Sequence, residues 1–195
     1  MARNRAEGSA RPADGAEAAA PPAFRSRRAL GVFLIVAAAG LAADLLSKHY
    51  AFAALLRRSE PVVLIERWLQ FKPAMNPGVV FGLLLPMPVV LLATLLAVAT
   101  VSVIFASSDR RAWGLHAALG MVLAGALGNA YDRVLVVLQL PTEAQAVGGR
   151  VRDFIDLYLP PLDYPWPTFN VADVLLVVGV GLIMIHSLRH KPARK

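Results

Sequence analysis

The sequence contains no cysteine among its 195 residues. That absence excludes a disulfide framework, a thiolate nucleophile and any metal site built on cysteine. The four histidines are scattered and no His-Glu-x-x-His pattern occurs, so we expect no metal and no other cofactor. A Gly-x-Ser-x-Gly pattern is missing too, which leaves catalysis by a serine nucleophile without support. The catalytic groups that remain are carboxylates.

Charge is also scarce, at 17% of residues against 57% hydrophobic residues, and this balance does not describe an ordinary soluble domain. The net charge of +7 could indicate a nucleic-acid partner. We expect none, because the basic residues flank apolar runs and form no face interleaved with aromatic residues. Four apolar segments approach the roughly 20 residues that a bilayer-spanning helix needs. They are residues 29–52, 83–106, 112–131 and 171–188.

The segments between these runs divide the chain. Residues 1–28 are rich in Ala, Pro and charge and predict a disordered tail. Residues 29–188 predict one four-helix transmembrane domain, and residues 189–195 a basic tail. Within residues 54–82, the β-branched and aromatic stretch 61–72 predicts one or two short strands that form a small β-cradle. Residues 134–168 predict a loop or flap in which 134–140 forms a short amphipathic or strand segment and 140–150 is inserted. The predicted fold class is an all-α membrane protein with this cradle.

The basic residues predict an orientation. If the N-terminus is cytoplasmic, twelve Lys and Arg residues fall in the inner segments and seven in the outer loops, which favours both termini inside. The cradle and flap are then extracytoplasmic. On this topology most polar residues near the apolar runs converge at the outer end of the bundle. They are Asp44, Lys48, Asn76, Asn129, Asp132, Arg133, Asp153, Asp156, Asn170 and Asp173, with Gly78 in the outer loop beside Asn76.

Asp173 lies at the start of the last apolar run, where a lipid-facing carboxylate would cost up to roughly 2.5–3.5 kcal/mol. Two carboxyl groups held around one water cannot both ionise, so one stays protonated and acts as the acid while the other acts as the base. Candidate partners for Asp173 are four aspartates. Asp44, four residues before Lys48, and Asp132, next to Arg133, have counter-charges nearby and look structural. Asp153 and Asp156 cannot be separated on the residues alone. The candidates are therefore Asp44, Asp132, Asp153 and Asp156.

Five blocks follow one another along the chain: Asp44-x-x-x-Lys48, Asn76-Pro-Gly-Val-Val-Phe-Gly82, Gly125-Ala-Leu-Gly-Asn129-Ala-Tyr-Asp132-Arg133, Val151-Arg-Asp153-Phe-Ile155 and Phe169-Asn170-Val-Ala-Asp173. In this order they resemble lipoprotein signal peptidase, the signal peptidase II family, over about residues 29–188. The resemblance implies a monomeric aspartic endopeptidase of the bacterial inner membrane, with its active site near the outer leaflet and in contact with lipid. Its expected substrate is a diacylglyceryl-modified prolipoprotein, cut before the lipobox cysteine, and its expected inhibitor is globomycin.

The resemblance also implies roles for individual residues. Asp153 and Asp173 match the catalytic pair. The residues that match those holding substrate or supporting the pair are Asn76, Gly78, Asn129, Arg133 and Asn170. The structural polar residues would be Asp44, Lys48 and Asp132.

This sequence departs from the family pattern in three places. Val-Val-Phe follows Asn76-Pro-Gly where small residues are usual, about twenty residues separate Asp132 from Asp153, and the N-terminal tail is long. A second function class, a small ion-coupled transporter, would predict polar residues through the whole depth of the bundle. The second apolar run carries no charge, and no inverted repeat is evident.

Overall fold

The computed structural model describes residues 22–76, 85–138 and 151–189. Residues 1–21 of the predicted tail, Gly78, the 140–150 insertion and residues 190–195 lie outside the described residues. The end of the tail, predicted to be disordered up to residue 28, is instead ordered: Ala23–Arg25 form a short 3-10 helix and α1 begins at Arg27. The described chain is mostly helical. Its long helices are α1 Arg27–Leu55, α2 Met87–Ser107, α3 Trp113–Val137 and α4 Val171–Arg189. Its strands are β1 Val62–Ile65, β2 Leu69–Met75, β3 Arg152–Leu159 and β4 Tyr164–Pro165.

Three of the helices, α1, α2 and α4, are long and apolar enough to cross a membrane, with mean hydropathies of 2.3, 2.7 and 2.3. Large apolar side chains such as Ile35, Leu95 and Val177 stand exposed on them. Exposed apolar surface of this extent needs an apolar environment. These helices therefore indicate a multi-pass membrane protein.

Helix α3 lies at the centre and packs against α1, α2 and α4. Two of its glycines permit the close approach of its neighbours. A Cβ on Gly125 would lie 2.5 Å from the carbonyl oxygen of Ala172 on α4, and a Cβ on Gly128 would collide with the carboxylate of Asp44 on α1. Small residues at helix interfaces let backbones approach in this way. Here they bring polar side chains of three helices into one cluster.

The small sheet has the order β1-β2-β3-β4 with antiparallel neighbours. The hairpin β1–β2 confirms the strands predicted within residues 61–72. Strand β3 pairs Ile155 with Phe71, and apolar side chains of the sheet pack on Phe52 and Leu55 at the end of α1. The sheet is thereby fixed to the bundle, and β3 delivers its first residues to the helices.

Two expectations for residues 134–168 were wrong in detail. Residues 134–137, expected to form a separate amphipathic or strand segment, continue α3, because the polar residues before them face the interior and do not end the helix. Part of the expected loop is strand β3, which the local sequence did not reveal because its pairing partner β2 lies about 80 residues earlier.

The two ends of the bundle differ. The N–H of Ala23 donates to the carbonyl of Ser108 at 2.9 Å, so the start of α1 contacts the turn between α2 and α3. Helix α1 has 29 residues and is about 44 Å long, and it leads to the sheet at the far end. The polar cluster lies at the sheet end.

Candidate active site

Asn170 connects two aspartates. Its side-chain Nδ2 donates to Oδ1 of Asp153 on β3 at 2.6 Å. Its backbone N–H donates to Oδ2 of Asp173 at 3.1 Å, while its Oδ1 accepts from the backbone N–H of Asp173 at 3.1 Å. This reciprocal pattern is a capping box at the start of α4. Asn170 is therefore a helix cap and, with the same side chain, a link between the two carboxylates.

Asn129 on α3 supports Asp173 from the other side. Its Nδ2 donates to Oδ1 of Asp173 at 2.8 Å. Its Oδ1 accepts from Nδ2 of Asn170 and from Nζ of Lys48, both at 3.1 Å. Each oxygen of Asp173 thus accepts a hydrogen bond from a group that can only donate there. Asp173 is therefore held in place as a hydrogen-bond acceptor on both of its oxygens.

Asp153 is only 1% exposed. Burial, and after it the nearby charge of Asp173, raise the pKa of Asp153 to about 7, while hydrogen bonds from Asn76 and Asn170 oppose the rise. Its Oδ2 accepts no hydrogen bond from any part of the chain that the structure describes. The two aspartates therefore differ: Asp153 is buried, has a pKa near 7 and has an oxygen that accepts no hydrogen bond within the described chain, whereas Asp173 accepts one hydrogen bond on each oxygen.

Asp156, the competing candidate, has other neighbours. Its carboxylate binds Nζ of Lys72 at 2.8 Å, Nε2 of Gln70 at 2.7 Å and Oγ1 of Thr168 at 3.2 Å. Partial burial would raise the pKa of Asp156, but the hydrogen bonds from Lys72, Gln70 and Thr168 outweigh it and lower that pKa. Asp156 fastens the sheet and does not reach the Asn170 cluster.

Asp44 and Lys48 form the pair that their spacing predicts, with Nζ 2.8 Å from Oδ2 and both side chains fully buried. The other oxygen of Asp44 accepts the backbone N–H of Ala172 at 2.8 Å. This bond ties α1 to the first turn of α4.

We expected Asp132 to be neutralised by its chain neighbour Arg133. Its carboxylate is also bound by two cations from other elements, Nη2 of Arg152 at 2.7 Å and Nζ of Lys48 at 3.2 Å. Arg133 is buried and lies in electrostatic range of Asp173, Asp132 and Asp153. Arg152 was not predicted as a site residue. Its position next to Asp153 could have indicated this role, because neighbouring residues on a strand point to opposite faces and Arg152 can therefore bind a different partner.

The remaining predicted site residues are Asn76 and Gly78. The side chain of Asn76 hydrogen-bonds Asp153, and its backbone N–H donates to the carbonyl of Val151 at 2.9 Å. Asn76 thus joins the end of β2 to the start of β3 beside the buried carboxyl. Gly78 lies outside the described residues.

An apolar cavity of about 290 Å³ opens beside Asp173. Its walls come from β3, from the segment before α4 and from the exposed face of α4. The side chains that line it with Asp173 are Leu157, Trp166, Phe169, Val174, Val177 and Val178. A carboxylate at one end of an apolar cavity can meet a substrate whose reacting group is polar and whose remainder is apolar.

Known proteins resemble this chain over most of its length. A family model described as Signal peptidase (SPase) II matches residues 36–189. A lipoprotein signal peptidase of Chlorobium phaeobacteroides is 32% identical over 161 residues, which cover 79% of this chain and 94% of the relative. Another, of Aquifex aeolicus, is 31% identical over 177 residues, covering 87% and 93%. A bacterial membrane enzyme solved by the in meso method superposes with a TM-score of 0.69 at 27% identity, covering 85% of this chain and 94% of that one.

The matched segment contains all the residues that form the polar cluster, from Asp44 on α1 to Asp173 on α4. The relatives are matched over nearly their whole length, so the similarity is not confined to one motif. The chain belongs to the signal peptidase II family.

Proposed function

We propose that the protein is an aspartic endopeptidase that removes the signal peptide from diacylglyceryl-modified bacterial prolipoproteins, cutting before the lipobox cysteine. One observation carries the proposal: Asn170 hydrogen-bonds both Asp153 and Asp173, so two carboxyls in different surroundings share one supporting side chain. Family membership supports the prolipoprotein as substrate.

The surroundings of the two aspartates assign their roles. Asp173, bonded only by donors, is the base that takes a proton from the attacking water. Asp153, protonated near neutral pH, gives its proton to the scissile carbonyl oxygen as the water oxygen bonds to carbon. When the C–N bond breaks, Asp173 passes its proton to the leaving nitrogen and Asp153 takes its own back. The cycle balances without a covalent intermediate.

The position of the site suits a substrate that arrives through lipid. We propose that α3 spans the inner membrane with the other three helices, that both termini are cytoplasmic, and that the sheet stands on the outer face as a cradle. The apolar cavity beside Asp173 faces the exposed side of α4, where acyl chains and the signal helix can approach laterally. A single chain supplies every residue of the proposed pair, so a monomer suffices. Globomycin is the expected inhibitor of this site.

The decisive experiment measures cleavage of a diacylglyceryl-modified precursor by the purified protein. We expect turnover by the wild type, and a loss of about 100- to 10,000-fold in kcat for Asp153→Asn and for Asp173→Asn, since each removes an acid–base group. Globomycin should block the wild-type reaction.

The matched control is Asp156→Asn, three residues along the same strand as Asp153. It should keep measurable turnover, because its carboxylate binds Lys72 and Gln70 away from the pair. Cleavage at the wild-type rate by a folded Asp153→Asn or Asp173→Asn protein would refute the pair, and a dead Asp156→Asn beside an active Asp153→Asn would move the acid to residue 156.

Transport is the competing class, and the described part of α2 does not favour it. The hydroxyls of Thr94 and Ser102 donate to carbonyls of their own helix, at 3.0 and 2.8 Å. They are occupied within α2 and do not extend the polar cluster toward the other end of the bundle.

A further inference from the structure

Lys48 is a fully buried cation that the proposed acid–base cycle does not use. Its ammonium group has three N–H donors and no acceptor. Its three shortest contacts are with Oδ2 of Asp44 at 2.8 Å, Oδ1 of Asn129 at 3.1 Å and Oδ2 of Asp132 at 3.2 Å. Two of these are ion pairs that any buried lysine needs. The third goes to a neutral amide that itself touches Asp173.

The contact with Lys48 helps to fix the orientation of the Asn129 side-chain amide. A lysine can only donate, so the atom of Asn129 that faces it must be the oxygen, and Nδ2 of Asn170 donates to the same oxygen. The amide nitrogen of Asn129 must then point the other way, where it donates to Asp173 at 2.8 Å. Without Lys48, the oxygen of Asn129 would keep only the donor from Asn170, so the amide would be held in this orientation less firmly.

We propose that Lys48 is a positioning residue of the active site: by donating to Asn129 it holds the Asn129 amide as a donor to Asp173, and so keeps Asp173 ready to accept the proton of water. The role rests on the proposed peptidase function and acts through Asn129, because Lys48 is inaccessible to substrate. This role differs from that of a structural ion pair, because Lys48 helps to determine which atom of the Asn129 amide accepts a hydrogen bond and which donates to Asp173.

The charges around Lys48 come from every element packed against it. The charge of Lys48 opposes the rise in the pKa of Asp153, so removing it leaves the carboxylates of this cluster less compensated and favours the protonated form of Asp153. The charged groups are Asp44 on α1, Asp132 and Arg133 on α3, Arg152 and Asp153 on β3, and Asp173 on α4.

The test measures kcat and KM for the diacylglyceryl-modified precursor between about pH 5 and 9 in Lys48→Met. We expect kcat at pH 7 to fall about 10- to 100-fold with KM unchanged. The alkaline limb of the pH profile, which the proposal assigns to Asp153, should move to higher pH. Lys48→Arg, which keeps a cation that only donates, should restore part of both effects.

Asp44→Asn is the opposing control, because it removes a negative charge from the same cluster and keeps an oxygen for the N–H of Ala172. Its pH profile should not move to higher pH. If Lys48→Met does not fold, the double variant Lys48→Met/Asp44→Asn keeps the net charge of the cluster and still lacks the donor to Asn129. Its kcat should lie at least about tenfold below that of Asp44→Asn, with KM unchanged.

A Lys48→Met enzyme whose loss matches only its folded fraction, with the wild-type pH profile, would overturn the positioning role. So would a double variant as fast as Asp44→Asn. Either result leaves the proposed function intact as long as the wild type cleaves the precursor, whereas a wild type that does not cleave refutes the function itself.

Discussion

Two aspartates three residues apart on one strand, Asp153 and Asp156, have pKa values shifted in opposite directions. Asp153 is buried beside Asp173, and burial raises its pKa to about 7 from an ordinary value of 3.8. Asp156 receives hydrogen bonds from Lys72, Gln70 and Thr168, which lower its pKa. In the proposed function the protein keeps Asp153 at a cost in stability and uses Asp156 to hold the sheet. The two carboxyl groups should therefore affect the stability of the protein in opposite ways, which can be measured without any substrate.

We predict that Asp153→Asn raises thermal stability at about pH 8, while Asp156→Asn lowers it. Between about pH 4 and 7 folded Asp153 binds more proton than the unfolded chain, so its contribution to the free energy of unfolding falls as pH rises. The folded carboxylate of Asp156 is favoured instead, and its contribution is lost as pH falls through its lowered pKa. Melting temperatures of both variants in detergent, from about pH 4 to 8, check the signs. A gain from Asp153→Asn that did not grow with pH would contradict the burial argument.

Some residue contacts could be predicted from the sequence and others could not. The Asp44–Lys48 pair follows from its i, i+4 spacing, and the capping position of Asn170 from its place before an apolar run. The residues alone did not separate Asp153 from Asp156, because the partners that distinguish them, such as Lys72 on β2, are distant in the chain. The family resemblance chose Asp153, and the contacts with Asn170 support that choice as a proposal.

At the scale of elements, the polar cluster depends on how closely α3 approaches α1 and α4. The bond from Asn129 to Asp173 spans this contact at 2.8 Å, one turn beyond Gly125. The length of the apolar runs predicted all four helices, and most of the helix ends lie within a few residues of the predicted positions. It did not predict the end of α3 or the strand β3, because the first depends on buried polar residues and the second on pairing with a remote strand.

We predict that Gly125→Ala is destabilising and impairs catalysis. Its Cβ would lie 2.5 Å from the backbone oxygen of Ala172 and 2.7 Å from Leu176, so α4 must move away from α3. Overpacking of this kind costs about 1–3 kcal/mol, and the displacement would lengthen the bond between Asn129 and Asp173. Melting temperature and kcat should both fall.

Gly181→Ala is the matched control on α4, because nothing lies within 4 Å of its Cβ position. Alanine favours a helix over glycine by up to about 1 kcal/mol, so this variant should be neutral or slightly stabilised. Equal effects of the two substitutions would mean that close approach of α3 and α4 does not hold the site.

At the scale of the whole molecule, the two ends of the bundle carry different chemistry. The start of α1 contacts the turn between α2 and α3, in a region with Arg25, Arg27, Arg110 and Arg111. The sheet and the polar cluster occupy the other end. In the proposed orientation the basic end faces the cytoplasm and the aspartates open toward the outer leaflet, where a lipid-modified precursor presents its cleavage site.

The absence of cysteine makes this orientation directly testable. Ser59, in the connection between α1 and β1, and Ser107, at the end of α2, are both exposed and lie at opposite ends of the bundle. Ser59→Cys should react with a membrane-impermeant maleimide added to intact spheroplasts, whereas Ser107→Cys should react only after the membrane is opened. The parent chain has no thiol and supplies a blank background. The reverse pattern would place the aspartates at the cytoplasmic face, out of reach of a substrate displayed on the outer leaflet, and would refute the proposed topology.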